Sequence, residues 1–360
     1  MAKTELKLKY GKSAEKWVEA LPLGNSMTGA MIYGRTDREI IALNEDRLWS
    51  GLPDEQQNYF AKLAIPAARR LIDEGRYEDA NNLVRSRMLG HYTQAYLALG
   101  NLYLDFGHGA DGVSDYTRQL DLNKAEYTQI YTYGGIRYKR EAFISYPDKI
   151  MAVRISADKP GSVSFSAGFD SQLRYCVETL CDDTIELSGV APIQNDPHYA
   201  SDDIASIIYD EPAEGESPKG VKFAARLKII PVNGKISGGD KKNGELRVDG
   251  ADSVLIIMAS GTSFVSFDKM PDKDFKGELA NNLNNAAQKG YDKLFERHVK
   301  DYSELFGRVE FDLSGGDNHR EKDTDIRQLE FENNLEQDLD LAALYFQYGR
   351  YLLIASSRGN

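Results

Sequence analysis

The chain has 360 residues, with 44 Lys and Arg against 56 Asp and Glu, a formal net charge of −12. That balance argues against nucleic acid and anionic membrane surfaces, which need a basic face. Hydrophobic residues make up 41%, too many for a disordered chain, and no apolar run approaches the roughly 20 residues that span a bilayer.

The N-terminus is polar and alternating, without the apolar core of a secretory signal. Residues 30–33 and 39–43 are short apolar runs punctuated by Gly24, Gly29, Gly34 and Gly51, which reads as strands. The character changes over residues 57–91. Residues 66–75 fit a short helix with Pro66 in its first turn and Gly75 past its end. Residues 78–88 fit a second helix, with Ala80, Leu83, Val84 and Arg87 at helical spacing. One such hairpin cannot build a solenoid, so it reads as an insertion in a β domain.

From about 95 to 265 the pattern is almost all strands. Residues 102–106, 135–143, 150–155, 163–167, 184–189, 221–230 and 253–259 are apolar or alternating, and Gly, Asn and Asp clusters separate them. Many strands with few helices between them predict packed antiparallel sheets rather than βαβ units. If Cys176 and Cys181, five apart, lie on one continuous strand, they face opposite ways roughly 16 Å apart, beyond the about 7 Å that a disulfide allows; a turn between them would reopen the pairing.

Near 275 the period becomes helical, with Leu279, Leu283, Ala286, Tyr291, Leu294, His298, Tyr302 and Leu305 at spacings of three and four. Residues 309–313 read as one more short strand. Residues 317–340 hold nine acidic and three basic residues and read as an exposed linker. Residues 340–357 form a strong amphipathic helix carrying Leu341, Leu344, Tyr345, Tyr348, Tyr351, Leu352 and Ala355. Its apolar face needs a partner, so a further helical domain is expected beyond Asn360.

The prediction is a mainly β fold. A large antiparallel β-sandwich occupies residues 1–274, with a small helical insertion at about 57–91. A helical linker with one short strand and an acidic segment follows at 275–339, and a further domain starts at 340–360.

Chemistry-bearing motifs are few. No phosphate loop, dinucleotide fingerprint, zinc-protease helix or nucleophile elbow is present. The five histidines lie at no metal-ligand spacing, so neither metal nor cofactor is expected. Glu45 and Asp46 beside Trp49 are the most suggestive group: glycosidases use paired carboxylates, and a carboxylate near an aromatic suits a sugar. The competing reading is a tight corner held by Asn44, Glu45 and Asp46 over a packed Trp49. His298 and Asp301, at i and i+3, fit either a dyad or a local hydrogen bond. Tyr92, Tyr96, Tyr103, Tyr131 and Tyr133 fit stacking platforms or ordinary strand packing. His198 and Tyr199 sit in a long polar loop of the kind that carries function.

The stretch ALPLGNSMTGAMIYG at 20–34, followed by LNEDRLWSG at 43–51 and Pro53, resembles the opening of glycoside hydrolase family 95. These are α-L-fucosidases acting mainly on α-1,2-linked fucose, together with α-L-galactosidase-type enzymes. The resemblance continues through YLALGNL at 96–102, YTRQLDL at 116–122, REAFIS at 140–145, HVKDY at 298–302 and FQYGRYLLIASSR at 346–358. Leu97 and Ala98 replace the family's Gln-Pro, and Asn101 replaces its Asp.

The resemblance implies an N-terminal β-super-sandwich, a helical linker and an (α/α)6 barrel, with residues 341–357 similar to the first barrel helix. It implies an inverting mechanism whose carboxylic acid and water-activating residues come from the barrel. Those catalytic groups are expected beyond Asn360, so no catalytic residue is assigned here. The implied partners are a fucosylated oligosaccharide and the barrel domain. Asn44, Glu45, Trp49, Tyr96, His198 and Tyr199 are the candidates for a substrate pocket or a domain interface. A stand-alone carbohydrate-binding sandwich and an α-L-galactosidase-type specificity are the alternatives.

Overall fold

The structure, a computed structural model, describes residues 6–54, 57–90, 93–196, 207–238, 244–313, 319–333 and 338–359. In chain order the elements of the first half are β1 (Lys7–Tyr10), β2 (Leu21–Gly24), β3 (Thr28–Ile32), β4 (Arg38–Glu45), α1 (Ala61–Asp73), α2 (Tyr77–Arg87), β5 (Gly100–Asp105), β6 (Val113–Asp121), β7 (Glu126–Tyr133), β8 (Ile136–Ser145), β9 (Ile150–Ala157) and β10 (Val163–Asp170). Then follow β11 (Arg174–Cys181), β12 (Thr184–Val190), β13 (Gln194–Asn195), β14 (Ile207–Ile208), β15 (Lys222–Val232), β16 (Lys235–Gly238), β17 (Leu246–Ala251), β18 (Ser253–Thr262), α3 (Lys276–Phe306), α4 (Thr324–Asn333) and α5 (Leu339–Ser356).

The strands form the expected large antiparallel sandwich. One sheet has nine strands in the order β1-β6-β7-β8-β9-β18-β15-β12-β11; the other has seven, β16-β17-β10-β5-β4-β3-β2. Strand periodicity decides which residues meet between them. Met151, Val153 and Ile155 of β9 point into the inter-sheet core, as do Val254, Ile256 and Met258 of β18, opposite Ile41 and Leu43 of β4. The alternate residues Ile150 and Ala152, with Ile257 and Ala259, lie under α3 and pack against Leu279, Leu283, Ala286 and Leu294. Burial on both faces is why β9 and β18 read as nearly continuous apolar runs. Halfway along, α3 breaks at Gly290, whose φ of 71° lies in the region that favours glycine.

Three local readings change. Helix α1 starts at Ala61, so Pro66 sits inside it rather than in its first turn. Residues 309–313 join no strand; Arg350 donates to the Val309 carbonyl at 3.0 Å, and Phe311 packs on Phe346 with ring centroids 4.8 Å apart. The acidic stretch is no plain solvated linker. It contains α4, which meets β1 through the Lys9 N–H donating to Thr324 Oγ1 at 2.9 Å. There Arg327 is buried between Asp338, at 2.8 and 2.9 Å, and Asp340, at 3.0 Å. The stretch's own Arg327 offsets these carboxylates across 11 residues, a pairing that no local period reveals. The two cysteines, both on the edge strand β11, are free and exposed.

Helix α5 closes one end of the sandwich. Leu344 and Tyr351 enter the core, the Tyr351 hydroxyl donates to the Pro22 carbonyl at 2.6 Å, and the Ser26 N–H donates to the Ala355 carbonyl at 2.7 Å. The other side of α5 is open: Tyr345 is 77% exposed and Leu353 65%. Among the described residues no helix is long and apolar enough to cross a membrane.

Candidate functional site

The α1–α2 hairpin leaves and rejoins the sandwich at one point. Trp49 and Tyr96 form an isolated antiparallel bridge there. The Ser50 N–H donates to the Ala95 carbonyl at 3.0 Å, and the Leu97 N–H to the Leu48 carbonyl at 3.0 Å. Ser50 Oγ reaches Gln94 Oε1 at 2.8 Å. This clamp fixes two aromatic rings with centroids 5.4 Å apart, tilted by 57°. Each residue keeps 43% of its surface in solvent. The Trp49 indole N–H donates to the Asp46 carbonyl at 3.1 Å, so the corner is held from within while Trp49 stays outside rather than packing beneath.

Beside the bridge lies a groove of about 270 Å³ on the outer face of β2–β4, walled on its far side by α5. Asn44, Asp46, Tyr96 and Trp17 line it, with Leu352 and Ala355 opposite. Burial raises the Asp46 carboxyl above the usual carboxylate range, against the pull of the Arg47 charge.

Glu45 belongs to a different place. One residue along a strand turns the side chain through the sheet, so Asn44 faces the groove while Glu45 points between the sheets. There Glu45 is buried beside Thr28, Ser260, Thr262 and Lys273, around a space of about 20 Å³. Its Oε2 accepts the Arg47 N–H at 2.9 Å. Thr28 and Ser260 exchange a hydroxyl hydrogen bond of 2.7 Å between the sheets, and Thr262 Oγ1 has no partner among the described residues. Burial, and then the charge of Asp46, push the Glu45 carboxyl up to about 8. It is therefore protonated at neutral pH.

The other sequence candidates fall elsewhere. His198 and Tyr199, like Tyr92, lie outside the described residues. Asn360, beyond which the catalytic groups are expected, lies outside them too. His298 makes neither a dyad nor a local bond with Asp301. It is buried in α3, stacked on Phe143 with centroids 4.8 Å apart, and its Nε2 meets the carbonyls of Lys124 and Ala125 at 2.9 and 3.2 Å. Burial lowers its pKa to about 4. Asp301 instead pairs with Arg358 at 2.6 Å. Tyr131 meets His108 edge-on and Tyr133 stacks on it, and the Tyr103 hydroxyl donates to Asp170 at 2.5 Å. Asn101 donates its amide to the same carboxylate at 2.8 Å, so the residue that departs from the family motif serves a contact between β5 and β10. Trp17 escaped the sequence reading because it stands in a polar stretch with no periodicity around it.

Comparison with known proteins places this arrangement. Residues 8–266 match the model described as glycosyl hydrolase family 65, N-terminal domain, and residues 290–360 match the model of the glycosyl hydrolase family 95 catalytic domain. The chain belongs to the glycosyl hydrolase family that the first of these models describes. The second match begins within α3 and agrees with the family 95 resemblance of the motifs at 20–34 and 43–51. Among curated relatives, Alpha-L-fucosidase 2 of Arabidopsis thaliana is 34% identical over 98% of this chain and 42% of its own length. Probable alpha-fucosidase A of Aspergillus niger is 30% identical over 94% of this chain and 41% of its own. The chain thus spans less than half the length of the curated relatives it matches. Among solved structures, a putative kojibiose phosphorylase from human microbiome is similar with a TM-score of 0.47 at 10% identity, over 97% of this chain and 39% of that one.

Proposed function

We propose that this chain is the N-terminal, non-catalytic part of an α-L-fucosidase-like glycoside hydrolase, and that it braces a helical catalytic domain through α5. The observation that carries this reading is the two-sided character of α5. One side is tied into the sandwich through Tyr351 and Ala355, while Tyr345, Phe346 and Leu353 stand exposed on the other. An apolar face of that kind needs cover, and the family 95 match runs through this helix. The intact enzyme would remove terminal α-linked L-fucose from glycans with inversion, using catalytic groups that follow Asn360. One carboxylic acid protonates the leaving oxygen, and an opposing group activates water across a gap wide enough to hold it. In this chain Glu45 faces the interior and Asp46 the groove, so the adjacent pair does not form that constellation.

The test compares the product of the complete gene with residues 1–360 alone, on an oligosaccharide ending in α-1,2-linked L-fucose. The full product is expected to release β-L-fucose first, followed by NMR before mutarotation, and residues 1–360 to release none. Turnover by residues 1–360 would overturn the scaffold role. A full product that cleaves only L-galactosides would move the specificity to the second sugar, and release of the α anomer would exclude inversion.

A further inference from the structure

We propose that the groove between β2–β4 and α5 is a monosaccharide subsite, walled by Trp17 and Tyr96, with Trp49 packed against Tyr96, and read by Asn44 and Asp46. The idea rests on the glycosidase reading for its sugar, but its geometry stands apart. The chain contains two tryptophans: Trp17 lines this groove, and Trp49 packs against Tyr96 of its lining. Trp17 is 52% exposed. Large aromatics are usually well buried.

The rings are also fixed. The bridge and the clamp through Ser50, Ala95 and Gln94 fix the backbones of Trp49 and Tyr96, and the Trp49 indole N–H bond to the Asp46 carbonyl orients its ring. Little side-chain freedom is left to lose on binding. Their mutual tilt of 57° means that neither face is stacked on the other.

The polar groups suit the hydroxyls of a pyranose. Asp46 lines the groove; its Oδ1 is itself buried and has no hydrogen-bond partner among the described residues, with Arg47 at 3.8 Å. The Asn44 amide makes no side-chain hydrogen bond among the described residues and lines the same groove. A carboxylate accepts from two hydroxyls, and an amide both donates and accepts. Apolar ring faces beside such groups match a sugar, whose C–H face is apolar and whose edge is polar. The volume, about 270 Å³, lies near the roughly 300 Å³ lower end of ligand pockets, which fits one sugar unit and not an extended chain. Leu352 and Ala355 of α5 form the far wall, so the subsite sits on the seam with the segment that matches the catalytic domain.

The test titrates residues 1–360 with L-fucose, L-galactose and D-glucose, read by tryptophan emission and by saturation-transfer NMR. Because Trp17 lines the groove and Trp49 touches its Tyr96, emission reports on it. A dissociation constant on the order of 1 mM is expected for L-fucose. Trp49→Ala should weaken it at least about tenfold and Asp46→Asn several-fold. Asn44→Ala, at a partly exposed position, keeps the test open if Trp49→Ala fails to fold. No saturation by any of the three sugars up to about 100 mM, or saturation untouched by the variants, would overturn the subsite while leaving the fucosidase assay of the full product to stand or fall alone. Saturation by D-glucose with no response to L-fucose or L-galactose would keep the subsite and remove the fucose assignment.

Discussion

The buried carboxyl of Glu45 makes the stability of this protein depend on pH in a direction opposite to ordinary carboxylates. Glu45 is 2% exposed at the end of β4, faces Ser260 and Thr262 of the opposite sheet, and has the like charge of Asp46 next to it. Its pKa moves from 4.5 to about 8. Between those values the unfolded chain has lost this proton and the folded chain has kept it. The unfolded state then binds fewer protons, so stability falls as pH rises. Each pH unit costs about 1.4 kcal/mol, and the window from 4.5 to about 8 gives about 5 kcal/mol in all. Glu45→Gln imitates the protonated carboxyl in size and charge and keeps an oxygen for the Arg47 N–H. The variant should match the parent near pH 4.5 and gain on it steadily up to pH 8. Urea midpoints of the two proteins at pH 5, 6, 7 and 8 measure the gap. A gap that stays constant across that range would refute the reasoning, as would a variant that loses ground as pH rises.

Two further perturbations probe other buried polar groups. His298 stays neutral in its aromatic cluster to about pH 4, against 6.5 unfolded, so acid removes stability as pH falls from 6.5 to 4, by about 3 kcal/mol. His298→Gln should flatten that arm of the urea-midpoint profile while the arm set by Glu45 persists. Arg140 bonds Glu39 at 3.1 Å and the Arg35 carbonyl at 2.6 Å, with its guanidinium 3.9 Å above the Phe106 ring. Arg140→Met should cost about 3–5 kcal/mol by leaving Glu39 buried without its partner. Adding Glu39→Gln should recover part of that in a double-mutant cycle, and strict additivity would show that the pair is not coupled.

The architecture was legible wherever burial follows a simple period. Both faces of β9 and β18 are covered, so these strands announced themselves as unbroken apolar runs, and α5 showed its core stripe through Leu344, Tyr348 and Tyr351. What escaped depends on partners that no local period reveals. The acidic stretch reads as solvated until Arg327 is found between Asp338 and Asp340, and until Thr324 caps the edge of β1. Residues 309–313 alternate like a strand, yet beside α5 they find side-chain and carbonyl partners and no ladder. Strand β6 pairs with β7 through a register shift between Ser114 and Thr117, and such an irregularity blurs the alternation that marks a strand.

The candidate site divides along the same line. The motif LNEDRLWSG puts an amide, two carboxylates and an indole within six residues, which invites reading them as one cluster. The pleat separates them: Asn44 goes out, Glu45 goes in, and Asp46 starts the corner that returns outward. Only the outward members meet Tyr96, which reaches them through a bridge closed 47 residues later by the α1–α2 hairpin. Trp17 arrives from before β2 with no local signal at all. A surface that gathers aromatic rings from three separate segments, while carboxyl Glu45 is kept protonated behind it, is held by tertiary contacts rather than by one motif. The hairpin root, clamped at Ser50 and Gln94, is therefore the element whose loosening would scatter the rings first.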